Sequence, residues 1–428
     1  WTEDSVYFDA SPSGTPPSAS DRPDGPIVEK GGAAQQLRKV YEQGASARNV
    51  KVLESGALAS LTTDSDFSPF TLDEVKWIRG ENNVSTGAGA ELFNGSYLSS
   101  GVTTPLGSTG ARHSIHGDVL HSRPVALNYG GGNVVVYYGA NDGFFRAVDG
   151  NKTGSTAGHE LWSFIAPEHY GLITRLRNGT PTVHLPETNS SGGTITAPSG
   201  TQTKGYGMDG PIGVYARYNS GGTSVSKAII YPTMRRGGQG VHAFDVTTST
   251  SPSLLWRISG GSGDYAKLAQ TWSMPKAVVT SNSGVVAPIL LMGGGYDPAE
   301  DTNSSGGIGN VVYVINGFTG ARIAALATDY SVPSDVTVVD VNGDGEPDRA
   351  YVADVRGNLY RIDFPTTGSL LDSASWSAVS AVKIATLGGK VFFAPDVVVT
   401  RDFVAVLSGT GDRDPETGRD GWAIVDCG

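Results

Sequence analysis

Cysteine is almost missing from this chain: the single copy, Cys427, stands next to its last residue. One thiol excludes a disulfide framework within the chain and any metal site built on several cysteines. Cys427 reads as half of a pair whose partner lies outside this sequence. Long apolar runs are missing too, and none approaches the roughly 20 residues that a membrane-spanning helix needs. Hydrophobic residues make up 38% of the chain, too few for long, fully buried helices. Basic residues are outnumbered, 31 Lys and Arg against 42 Asp and Glu, for a formal net charge of -11. That balance speaks against nucleic acid, where cations must replace phosphate counterions, and against an anionic membrane surface. Catalytic signatures are missing as well: there is no Gly-x-Ser-x-Gly elbow, no His-Glu-x-x-His and no phosphate loop. Residue 1 is Trp rather than Met, and the chain reads as a mature or trimmed fragment of a longer protein.

Glycine is plentiful, at 59 positions with 23 Pro, and has no collagen-like period. Such a composition suits many short strands joined by turns. Residues 1–112 stand apart as an N-terminal extension of loops and short helices. Asp9 to Pro26 reads as an extended loop, and Gly87 to Gly110 as a connector. Helices are expected from Ala33 to Gln43, where Leu37, Val40 and Tyr41 share a face, and from Leu72 to Ile78.

Residues 113–428 repeat. A strand start recurs at Pro124, Pro211, Pro275, Ser334 and Pro395, about 60 to 90 residues apart. Each is followed by a short apolar strand, as in Val134 to Gly139 or Arg349 to Ala353. A third strand then follows in most repeats, as in Phe144 to Asp149, Val241 to Asp245 and Asn358 to Asp363. Several repeats close with a fourth, such as Leu254 to Ile258. Four short antiparallel strands per repeat make the blade of a β-propeller, so the fold class is all-β. Of the five blades, the last stops near its third strand, so closing a ring requires sequence from elsewhere.

Between two expected strands lies Asp340-Val-Asn-Gly-Asp-Gly-Glu-Pro-Asp348. Oxygen side chains stand at the first, third, fifth and ninth positions, with Gly345 at the sixth, as in an EF-hand loop. Ca²⁺ takes about six to eight oxygens at about 2.3–2.6 Å. Alternate residues of a coiled loop point inward, so Asp340, Asn342 and Asp344 are expected to converge. Glu346 offers its carbonyl, and Asp348 closes the site directly or through water. The twelfth position, where an EF-hand carries a bidentate Glu, is Tyr351, and the flanks read as strands. A strand-loop-strand site with weaker affinity than a cytosolic sensor follows.

Other motifs read as structural. Asp9-Ala-Ser-Pro-Ser13 lacks the buried strand and helix of a metal-dependent adhesion site. Asn141-Asp142-Gly143 reads as a hairpin turn. Carboxylates between Gly293 and Asp301 fit an inter-strand loop better than a second cation site, and Arg235-Arg236 beside Gly237-Gly238 a solvated turn better than a ligand-facing pair. His113, His116 and His121 do not require zinc.

Ala147-Val-Asp149, Thr153-Gly154 and Trp162 resemble the docking repeat of quinoprotein propellers, with partial copies at Asp245 to Trp256 and at Asn316 to Gly320. A second resemblance is more specific. Glu29 to Arg38, Trp77-Ile-Arg-Gly80, Gly117 to Val125 and Tyr138 to Gly143 are similar, in order, to landmarks of the PilY1/PilC family of type IV pilus tip proteins. Gly237 to Asp245 and Ser408 to Arg413 continue the series, so the resemblance runs from about residue 28 to the end. It implies a modified seven-bladed propeller of the quinoprotein type, without enzymatic activity. It also implies export through the periplasm of a Gram-negative bacterium to the cell surface, at the pilus tip. Minor pilins and a host or abiotic surface are the partners it implies, and pilus biogenesis, twitching motility and adhesion the functions. The family carries a nine-residue calcium loop, matched here by Asp340, Asn342, Asp344, Glu346 and Asp348, whose occupancy is linked to pilus extension and retraction. The family's N-terminal region, often von Willebrand A-like, is absent from this chain. The alternative is a propeller oxidoreductase holding pyrroloquinoline quinone. Such alcohol dehydrogenases typically set a vicinal cysteine pair against the cofactor, and Cys427 has no neighbour of its kind.

Overall fold

All five strand starts open a sheet. The computed structural model describes residues 33–34, 36–37, 48–62, 67–84, 115–184, 198–279, 287–301, 307–411 and the strand backbone at 422–426. The loop Asp9–Pro26, the connector, His113 and Cys427 lie outside the described residues. Of the helix expected at Ala33 to Gln43, residues 33–34 and 36–37 are described and helical. Two compact units make up the chain. The first takes Trp1–Leu120, Pro124–Glu187 and Ile195–Gly207; the second takes His121–Arg123, Thr188–Thr194 and Met208–Gly428.

In the first unit, β1 (Val50–Glu54) and β2 (Ala57–Ser60) form a hairpin. Its turn sets Ser55 and Gly56 at positive φ, a conformation that Ser-Gly tolerates. Helix α1 follows at Leu72–Ile78, where the sequence places it. Thr71 caps it: the side chain accepts from the Glu74 N–H while Glu74 reaches back to the Thr71 N–H at 2.8 Å. Strands β3 (Val125–Gly130), β4 (Asn133–Gly139), β5 (Phe144–Asp149) and β6 (Glu160–Ile165) make an antiparallel sheet. β1 pairs in parallel with β6, so the hairpin extends that sheet to six strands. A second helix, α2 (Tyr170–Asn178), packs Ile173 with Val50, Val75, Trp77 and Phe144 into one core. Gly179 ends it in the left-handed conformation. Short parallel strands β7 (Thr182–His184) and β8 (Thr201–Thr203) complete the unit.

The second unit is built of sheets in series. β9 (Ile212–Tyr218), β10 (Val225–Pro232), β11 (Gly240–Asp245) and β12 (Ser253–Ser259) form one. β13 (Lys276–Val279), β14 (Pro288–Gly293), β15 (Val311–Asn316) and β16 (Arg322–Ala327) form the next. A third has β17 (Thr337–Val339), β18 (Arg349–Ala353), β19 (Asn358–Asp363) and β20 (Val382–Thr386). β21 (Asp396–Val399), β22 (Val404–Gly409) and β23 (Trp422–Asp426) form the last, three-stranded as expected.

In the two middle sheets of this unit the second strands are apolar on both faces, because each of these sheets is covered from two sides. β14 is buried throughout its length. Ile229, Tyr231 and Trp256 meet Leu290, Met292 and Tyr313 between the first two sheets of this unit. Ile289, Leu291 and Val314 meet Val352, Tyr360 and Ile362 between the next two. Tyr351, Ala353 and Leu359 meet Val404 and Val406 at the last junction. The repeat is also visible in register. Pairing of the third and fourth strands slips at Ala147/Val148, Ala243/Phe244, Val314/Ile315 and Leu359/Tyr360. A bulge at one place in four sheets bends each strand pair alike. Among the described residues, no helix is long and apolar enough to cross a membrane, and no sheet closes on itself.

Candidate metal-binding loop

Residues 340–348 connect β17 to β18, with strands on both sides as the sequence implies. The loop coils because its side-chain oxygens hold its own backbone. Asp340 accepts from the Gly343 N–H at 2.6 Å and the Gly345 N–H at 2.7 Å. Asn342 Oδ1 accepts from the Asp344 N–H, and Asp344 Oδ1 from the Glu346 N–H, at 2.9 and 2.8 Å. Asp348 folds back over the start, accepting from the Val341 N–H at 2.7 Å and the Asn342 N–H at 3.2 Å. The ninth position is thereby tied to the second and third. Gly343 and Gly345 sit at φ +78° and +89°, where a side chain is strained and glycine is not.

Backbone N–H groups around Asp340, that of Gly345 foremost, outweigh a small desolvation and hold its carboxyl below the usual range. A carboxylate with several donors on it is ionised and keeps further lone pairs for a cation. The donor set, Asp340, Asn342, Asp344 and Asp348 with the Glu346 carbonyl, is all oxygen and fits a hard divalent ion. As arranged, the side chains serve the loop's own amides. Among the described residues, no three His, Cys, Asp or Glu side chains are gathered to hold a metal. Tyr351, at the twelfth position, is buried in the core between the last two sheets, so no carboxylate stands there. A cavity of about 830 Å³ opens beside the loop, lined in part by Asn342, Asp344, Glu346, Asp348, Asp363 and Phe364.

The other sequence motifs that fall among the described residues resolve as structure, with one exception. Asp297 accepts from the Ala299 and Ile308 N–H groups, while Glu300 is buried against the Ser331 hydroxyl and N–H. Asp301 accepts from the Tyr296 hydroxyl and from Lys390 Nζ. These carboxylates turn to different protein donors and, among the described residues, are not gathered around a second cation position. His116 bonds the Gly117 carbonyl and the Tyr138 hydroxyl at 2.7 and 2.8 Å. His121 bonds Asp209 at 2.6 Å. Asp142, in the hairpin turn, is the acceptor of a buried network: Arg146 donates to it, and Arg146 and Arg48 also meet Glu160. The exception is Arg235, read as part of a solvated turn. It is half-buried, and its guanidinium lies 4.0 Å from the centre of the Trp272 ring. The pairing spans 37 residues, so nothing local to the turn announces it; the one local sign is a double arginine followed by two glycines.

A family model described as the PilY1 beta-propeller domain matches residues 129–400. A type IV pilus biogenesis factor PilY1 homolog of Xylella fastidiosa is 26% identical over 280 residues, 59% of this chain and 20% of that protein. The type IV pilus biogenesis factor PilY1 of Pseudomonas aeruginosa is 27% identical over 234 residues, 53% of this chain and 17% of that protein. The matched part therefore spans about a fifth of the length of these relatives. Among solved structures, the Pseudomonas aeruginosa PilY1 C-terminal domain aligns at TM-score 0.47 and 21% identity, covering 68% of this chain and 57% of that one.

Proposed function

The chain belongs to the PilY1 β-propeller family, and on that premise we propose that it is the calcium-binding module of a type IV pilus biogenesis factor. The family match supports the assignment to pilus assembly. The arrangement of Asp340, Asn342 and Asp344 at alternate positions around Gly345 carries the calcium reading. Asp340, Asn342, Asp344 and Asp348 hold the ion through side-chain oxygens, and Glu346 through its carbonyl. Bound calcium supplies charge neutralisation to a loop otherwise crowded with carboxylates. Without a twelfth-position carboxylate the affinity belongs to the extracellular range, a Kd of about 10⁻⁴ to 10⁻³ M.

In this reading the module works outside a Gram-negative cell, at the tip of the pilus. It contacts minor pilins there, supports twitching motility and adhesion to host or abiotic surfaces, and performs no chemistry of its own. A modified seven-bladed ring is part of the proposal, and closing it requires sequence beyond the five repeats.

Titration calorimetry with Ca²⁺ tests the metal, and piliation and twitching of cells carrying the same variants test the role. Asp344→Ala and Asp348→Ala abolish calcium binding while circular dichroism stays unchanged. Unaltered affinity in both variants refutes the loop as the site. Normal piliation and twitching with calcium binding lost refutes calcium as the control point.

A further inference from the structure

β18 has the acidic loop at one end and Val355 just past the other. Val355 packs there with Trp272 and Tyr296, and Tyr330 and Phe392 lean on the same cluster. The Trp272 ring centre stands 4.6 Å from that of Tyr296 and 5.7 Å from that of Phe392. Arg235 covers it at 4.0 Å, and the exposed Arg236 lies 5.5 Å from the same ring. Phe393, next in the chain to Phe392, is 74% exposed.

Three features of Arg235 are unusual together. Its backbone is at φ +50°, a conformation costly for a residue with a side chain. Hydrogen bonds pin it there: its N–H to the Thr271 carbonyl at 3.1 Å, and the Met234 N–H to the Thr271 hydroxyl at 3.0 Å. Its Nε is buried with no hydrogen-bond partner among the described residues. A half-buried cation with an unused donor is expensive unless something pairs with it.

We propose that Arg235, stacked on Trp272, is the anchor of a binding site for a carboxylate-bearing peptide segment of a partner protein. With its face on the indole and its Nε buried, the Arg235 guanidinium has its two Nη groups for a bidentate carboxylate. Charge selects the ligand. Arg123 is engaged by Asp335 at 3.1 Å and Asp209 by His121 at 2.6 Å, while Arg235 makes no ion pair of its own among the described residues. Burial lowers the Arg235 guanidinium to about 10, with Asp209 opposing the shift and Arg236 and Arg123 adding to it, so it is charged at neutral pH. One cation without an ion pair matches a carboxylate, and a phosphate dianion is repelled more strongly by Asp209 and Asp335, which both act on Arg235. Trp272 is itself buried, its ring enclosed by Arg235, Tyr296 and Phe392, which leaves no broad indole face for a sugar to stack on. Exposed Phe393 offers contact to an apolar residue beside the acid.

The test uses fluorescence anisotropy with a dye-labelled hexapeptide of alternating leucine and glutamate, its glutamine counterpart, and dye-labelled oligogalacturonate. Wild-type protein is expected to bind the glutamate peptide at least about tenfold more tightly than the glutamine peptide. Arg235→Lys, which keeps the charge and loses the planar fork, weakens the glutamate peptide about tenfold, and Arg235→Gly weakens it further. Glycine suits φ +50°, so the second variant is expected to fold, as circular dichroism will report; if it does not, the lysine variant carries the comparison. Equal binding of the two peptides, or equal binding by wild type and the folded variants, overturns the proposal. Preferential capture of oligogalacturonate overturns it in favour of an acidic polysaccharide.

Discussion

Arg146 is fully buried and touches two carboxylates, Asp142 and Glu160, the second of which also binds Arg48. Burial alone would raise the Asp142 carboxyl, but Arg146 outweighs it and holds the group below the ordinary range; in Glu160 burial is likewise outweighed, by Arg48 first and Arg146 after it. Arg146→Met leaves buried carboxylates short of their cation and is expected to cost about 3–5 kcal/mol, measured by urea denaturation. His116 borders this network. Burial, aided by Arg146, pushes its pKa down from 6.5 to about 4. The folded state therefore holds fewer protons than the unfolded one between those values, and stability falls as pH drops from about 6.5 toward 4. Asp142, also depressed, adds its loss only below its unfolded value of 3.8. His116→Gln is expected to flatten the upper part of that acid slope in thermal melts; an unchanged slope in the variant excludes His116 as its cause.

Among the elements, strands were legible where burial imposed a pattern. Arg349–Ala353, Phe144–Asp149 and Asn358–Asp363 fall where apolar residues run between glycine turns, and in the first and last of these the run exists because two neighbouring sheets cover the strand. The loop 340–348 was legible for a related reason: its hydrogen bonds are made within nine residues, so its sequence contains its geometry. Features made across the chain were not. The hairpin β1–β2 carries a Ser-Gly turn signal, yet its place beside β6 depends on pairing over more than a hundred residues. Arg235 was misread for the same reason, since Trp272 comes from another sheet's entry loop. The junctions between sheets can be tested directly. Trp256 Nε1 donates to the Gly317 carbonyl at 3.0 Å, and a Cβ on Gly320 would stand 2.8 Å from the Trp256 ring. Gly320 also sits at φ +72°. Gly320→Ala is expected to destabilise by about 1–3 kcal/mol, read as a lower urea midpoint at unchanged slope.

Across the whole molecule, the acid-sensitive network and the proposed calcium loop belong to different units. His116, Asp142 and Arg146 belong to the first and the loop 340–348 to the second. Scanning calorimetry is expected to resolve two transitions. Acidification from pH 7 to 5 lowers one of them. Calcium in excess over its Kd raises the other, by about 2.7 kcal/mol at a hundredfold excess. A single transition moved by both treatments contradicts this division.

One consequence concerns force. β18 rises about 3.4 Å per residue and so separates the acidic loop from the Arg235 corner by about 17 Å along a single strand. A tether at each end pulls along that strand rather than across it. Under such a load the tension runs through the covalent backbone of β18, and its bonds to β17 and β19 are not unzipped in turn. The sheet that carries the loop is thus oriented to resist traction between its two rims.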